Sequence, residues 1–155
     1  MRTHKSGFTL VEILIVVIIL GILAAIVIPQ FTNASQDARR SSLVSQLQTL
    51  RSQIELWKLQ HGDALPNLVG GVDGANPDTS NWNPLTTVTQ FNGVNFGPYM
   101  QAPPRNPLNN LGAVVDGDGT GPASAACGFI YDYNGGAGTG RIWGTDVDGL
   151  TVFVE

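Results

Sequence analysis

Residues Lys5 to Phe31 read KSGFTLVEILIVVIILGILAAIVIPQF. A basic stub ends at Gly7, and an apolar run follows at once. From Leu10 to Ile28 the only polar residue is Glu12. Those 19 residues make about 28 Å of helix at 1.5 Å per residue, and the hydrocarbon core of a bilayer is about 30 Å thick. The stretch therefore reads as one membrane-spanning helix, and it sets the plan of the chain as an anchor followed by a head. Glu12 is out of place in it, because an ionised carboxylate in hydrocarbon costs several kcal/mol.

Charge on either side gives the orientation. Arg2 and Lys5 precede the run, which marks that end as cytoplasmic and puts the head across the membrane. The chain has 155 residues, enough for one modest domain and an appendage, and 13% of them are charged. From His61 onward two basic residues, Arg105 and Arg141, face nine acids. That balance argues against nucleic acid and anionic lipid surfaces as partners. Cys127 is the only cysteine, so no disulfide can form within the chain, and Cys127 reads as a small buried hydrophobe.

Beyond Pro29 the periodicity changes. Leu43, Leu47, Leu50, Ile54 and Trp57 fall at steps of four, three, four and three, one face of a helix. Leu56 and Leu59 broaden that stripe in this reading. The pattern predicts one helix from about Phe8 to Gln60, roughly 80 Å long, ended by His61-Gly62 with a glycine cap. Its second half is amphipathic and needs a surface to cover. Residues 63–111 are rich in Gly, Pro, Asn and Asp and read as loops. Phe129–Tyr133, Arg141–Gly144 and Leu150–Val154 read as short strands. Together they predict an antiparallel meander with Tyr131, Trp143 and Phe153 in or near its core.

The N-terminus is not an ordinary secretory signal, whose small-residue cleavage site follows a shorter apolar stretch. Here the small residue, Gly7, comes first. Lys5, Gly7, Phe8, Thr9, Leu10 and Glu12, with the unbroken run up to Pro29, resemble the type IV prepilin signal. The resemblance implies that a membrane peptidase cuts after Gly7 and that the new terminal residue, Phe8, is N-methylated. It also implies a role for Glu12. The cut frees an amine on Phe8 that is positive near neutral pH. In a stacked assembly the Glu12 carboxylate of one subunit faces the Phe8 amine of the next, and a paired buried charge costs far less than a lone one. Pro29 stands where such chains carry a helix-loosening proline.

The implied fold is α+β: a leader (1–7), a membrane and assembly helix (8–30), an amphipathic helix (31–60) and a head (61–155) with a small antiparallel sheet, the pilin fold. Within the head, Gly97, Pro98, Tyr99, Pro107 and Asn109 are similar to the major pseudopilin of type II secretion, protein G. Asn106 and Leu108 depart from it, standing where that family prefers Asp and Trp. The GTDVDG ending resembles the family's calcium-binding segment, so Asp146 and Asp148 are the candidate ligands, with Asp132 or the DGDGTG loop (116–121) as substitutes. Calcium takes six to eight oxygens, while Asp and Gly are also what a tight turn favours.

No catalytic constellation is present, since His4 lies in the leader and His61 at a helix end. The resemblance therefore implies a structural homopolymer rather than an enzyme. It would be anchored in the bacterial inner membrane with its head in the periplasm. It would be handled by a prepilin peptidase and methylase, an inner-membrane assembly platform and minor pseudopilins. The alternative is a type IV pilus subunit.

Overall fold

The computed structural model describes residues 7–69 and 82–154. The leader through Ser6 and residues 70–81, with Asp73 and Asp78, lie outside them. The chain divides into two units, Met1–Ala38 and Arg39–Glu155.

One α-helix, α1, runs over Leu10–Gln60. It begins two residues later than the apolar pattern predicts, because Thr9 is its non-helical cap. It ends as the sequence predicts. Gly62 takes a left-handed φ of +66°, and the Asp63 N–H donates to the Lys58 carbonyl at 2.9 Å, the six-to-one bond of a glycine-terminated helix.

In the first unit α1 is exposed on all sides from Leu10 to Ile28. In the second unit its leucine stripe is buried. Leu43, Leu47, Leu50 and Ile54 form one core with Phe129, Tyr131 and Ile142. Trp57 packs at the edge of this core. Leu56 and Leu59 do not belong to the stripe: they are 42% and 76% exposed. Each helical residue turns the side chain by about 100°, so positions beside the four-three repeat point away from the core.

A short helix, α2 (Asn83–Thr86), buries Leu85 and leads into a hairpin of β1 (Thr89–Phe91) and β2 (Val94–Phe96). By sequence this region reads as loop. The hairpin is nevertheless encoded: Asn92 and Gly93 both have positive φ, 50° and 80°, as a two-residue Asn-Gly turn requires.

The main sheet is mixed, not a purely antiparallel meander. Its order is β3 (Val114–Asp116), β4 (Phe129–Tyr131), β5 (Ile142–Gly144). β3 pairs parallel with β4, and β4 pairs antiparallel with β5. The third strand expected at Leu150–Val154 is reduced to one bridge, Thr145 to Val152. The reason is local, because the N–H groups of Leu150 and Thr151 both donate to Asp148 Oδ1 and are lost to a ladder. Tyr131 and Phe153 are core residues, and Trp143 packs in a smaller cluster with Cys127 and Ile130. Gly144 lets α1 approach β5, because a Cβ there would stand 2.9 Å from the Leu43 side chain.

Candidate functional site

The N-terminal residues come first. Gly7 and Phe8 precede the helix, and Phe8 is 83% exposed. Thr9 and Glu12 bond reciprocally across the first turn. The Thr9 N–H and hydroxyl each donate to Glu12 Oε2 at 2.7 Å, and the Glu12 N–H donates to Thr9 Oγ1 at 3.3 Å. This is a capping box, T-x-x-E, which satisfies donors that a helix start leaves open. The T-x-x-E spacing is visible in the sequence, where Glu12 reads as an assembly residue and Thr9 only as part of the prepilin signal. Within one chain Glu12 is therefore not a bare carboxylate. Pro29 falls within α1. From Leu10 to Ile28 the helix displays apolar side chains, all of them exposed among the described residues. It is long and apolar enough to cross a membrane.

The second candidate is the turn Thr145–Thr151. Asp146 Oδ1 accepts the Val147 N–H at 2.8 Å. Asp148 Oδ1 accepts the N–H groups of Leu150 (2.9 Å) and Thr151 (2.8 Å), and its Oδ2 accepts the Thr151 hydroxyl. The Thr151 hydroxyl, with these N–H groups, holds the Asp148 carboxyl below its ordinary range. These are the bonds an Asx-type turn makes with its own backbone.

The substitute acids behave alike. Asp116 Oδ1 accepts the N–H groups of Tyr133 and Asn134. Asp118 binds its own Thr120, whose N–H and hydroxyl hold that carboxyl below its ordinary range. Asp132 binds Thr139, with the same effect. These three acids line one open cavity of 430 Å³. Among the described residues no three His, Cys, Asp or Glu side chains converge closely enough to hold a metal ion. Of the four carboxylate oxygens of Asp146 and Asp148, three accept hydrogen bonds from their own turn.

What closes this end of the head is a pair of asparagines that the sequence reading did not assign a role. Asn106, fully buried, donates from Nδ2 to the carbonyls of Gly128 (2.9 Å) and Thr145 (2.7 Å) and accepts the Leu108 N–H. Asn109 Nδ2 stands 2.9 Å from Thr145 Oγ1, 2.9 Å from the Asp146 carbonyl and 3.2 Å from the Cys127 carbonyl. The signal was the N-P-L-N-N segment, read as a loop. Cys127 is buried, and desolvation pushes its thiol up to about 11, which leaves it inert rather than nucleophilic.

Comparison with known proteins agrees with the first of these regions. Residues 2–28 match the prokaryotic N-terminal methylation motif. Beyond that motif the chain is similar to pilin-type proteins. It is 35% identical over 88 residues to type II secretion system core protein G of Pseudomonas aeruginosa, covering 53% of this chain and 61% of that one. It is 28% identical over 109 residues to core protein G of Aeromonas hydrophila, covering 70% and 71%. It is also 46% identical over 70 residues to a type IV major fimbrial protein, FimA, of Dichelobacter nodosus, covering 45% of each chain. The matched segment thus spans about three fifths of the Pseudomonas relative's length and less than half of the fimbrial one's. No solved structure matches the chain.

Proposed function

We propose that this pilin-like chain is the major structural subunit of a type II secretion pseudopilus. In this reading a prepilin peptidase removes residues 1–7 and Phe8 is methylated. The subunit waits in the inner membrane with its head in the periplasm. It then enters a homopolymer on an inner-membrane platform, with minor pseudopilins, to drive export of folded proteins. The observation that carries the reading is the prepilin-type N-terminus running into a helix whose apolar surface is open along the whole membrane segment. Similarity to core protein G over more than half of the chain supports secretion rather than a surface pilus.

Physical chemistry gives the parts their roles. The exposed helix has lipid as its neighbour in the single subunit, and other copies of the helix as its neighbours in a filament. The capping box gives Glu12 two donors while it waits. In the filament the free amine of Phe8 on an adjacent copy is a stronger, charged donor. A subunit that enters out of register leaves Glu12 without that partner, so the carboxylate selects register as well as assembly.

The test is made in the source bacterium. Intact-mass and N-terminal analysis of purified filaments should give a chain beginning at methylated Phe8. Glu12→Val should still insert and be processed but should fail to assemble in order. Deleting the gene should leave exported proteins in the periplasm. Loss of surface fibres with secretion intact would instead establish the type IV pilus alternative, which the fimbrial relative supports.

A further inference from the structure

We infer that Asn106 and Asn109 hold the C-terminal end of the head closed in place of a bound cation, so that this fold needs no calcium. Five oxygen atoms converge here: the carbonyls of Cys127, Gly128, Thr145 and Asp146, and the hydroxyl of Thr145. Carbonyl and hydroxyl oxygens on a turn are the donors calcium uses. In this chain they surround two amide nitrogens.

The orientation of both amides is fixed by their partners. Asn106 Oδ1 accepts the Leu108 N–H at 2.8 Å, and Asn109 Oδ1 accepts the Leu111 N–H at 3.0 Å. A backbone N–H only donates, so each side-chain oxygen must face it and each NH₂ must face the oxygens. With Asn109 Nδ2 at 2.9–3.2 Å from three of them, a cation with ligands at about 2.3–2.6 Å has no position among them. Thr145, fully buried, completes the network by donating its hydroxyl to the Cys127 carbonyl.

The carboxylates point the same way. A divalent ion needs negative charge in its shell, and both Asp146 and Asp148 give oxygens to the N–H groups of their own turn. Asn106, an uncharged amide, lies at the centre of this network. Within the asparagine network itself neutral donors meet neutral acceptors. The inference does not depend on which kind of filament the chain builds.

The experiment is a thermal melt of the full chain in detergent micelles, with calcium chloride and then with EDTA. The wild-type midpoint should agree between the two within about 1 °C. A calcium-specific rise of about 5 °C or more, reversed by EDTA, would overturn the inference, since only an ion bound to the folded state raises the midpoint so. Asn109→Asp, nearly identical in shape, replaces the NH₂ with an acceptor facing three oxygens. In EDTA it should melt several degrees below wild type, and an unchanged midpoint would also overturn the inference. Should this variant fail to fold, the wild-type comparison alone decides.

Discussion

Leu20 and Leu50 lie thirty residues apart on one unbroken helix, yet Leu20 is 59% exposed and Leu50 is fully buried. The two regions use the same residue type for opposite purposes. Around Leu50 the apolar residues occupy one stripe and the head closes over them. Around Leu20 they occupy every face, so no single sheet could cover them. A helix apolar all round belongs in a core or a membrane. The contrast separates stability that one chain supplies to itself from surface whose partner is lipid or another copy.

Paired truncations break this comparison most directly. Leu50→Ala should destabilise the head by about 2–5 kcal/mol, as cavity-forming core changes do. Leu20→Ala should leave head unfolding unchanged within about 0.5 kcal/mol. Denaturant unfolding of the full chain in micelles, followed by tryptophan fluorescence, reads both, since all three tryptophans lie in the second unit. Equal losses would mean that the anchor contributes to the head's fold. The next effect is smaller. Asn106→Ala leaves the buried Gly128 and Thr145 carbonyls short of a donor, which should cost about 1–3 kcal/mol. A loss near zero would show that the Thr145 bonds hold the turn without it.

The two regions also differ in how legible they were. The anchor and the Leu43–Ile54 stripe follow from periodicity, because burial over several helical turns imposes a repeat. The cap at Gly62 follows from one residue type. The β1–β2 hairpin was legible in Asn92-Gly93 but was obscured by surrounding Pro and Asn. The parallel strand β3 was not legible: Val114-Val115-Asp116 is three residues long, and its pairing with β4 joins segments separated by a loop of Gly, Pro and Ala. The loss of the last strand turned on one side chain, Asp148, taking two N–H groups. At the site, Glu12 was legible as an anomaly, while its partner Thr9 required reading the motif backward by three positions. The Asn106–Asn109 network joins residues some twenty to forty positions apart, which no local pattern records.

Acid titration sharpens the reading of the head's turn. The Thr151 hydroxyl and two N–H groups favour the ionised Asp148, so its folded value lies below the ordinary 3.8. A depressed carboxyl contributes stability above its unfolded value and loses it as pH falls through the folded one. The contribution should be intact at pH 5 and decline below about 3.8. Asp148→Asn should flatten that part of the wild-type stability curve while leaving the anchor's helicity unchanged. A curve that stays parallel to wild type down to pH 2.5 would assign the acid loss to other carboxylates, Asp118 and Asp132 among them.

The smallest expected effect tests the boundary between the two regions. Leu59 belongs to the head's part of α1, but it is exposed like the anchor's leucines. Single exposed leucines are ordinary on protein surfaces, so Leu59→Ser should change unfolding of the isolated subunit by no more than about 0.5 kcal/mol. A core-sized loss would restore Leu59 to the buried stripe and contradict the orientation of the last helical turn. A neutral result has a second use when the same variant is examined in filaments. If assembly weakens while the subunit's own stability does not, Leu59 is covered by a neighbouring copy. The property that distinguishes the anchor, apolar surface reserved for a partner, then extends along α1 into the head.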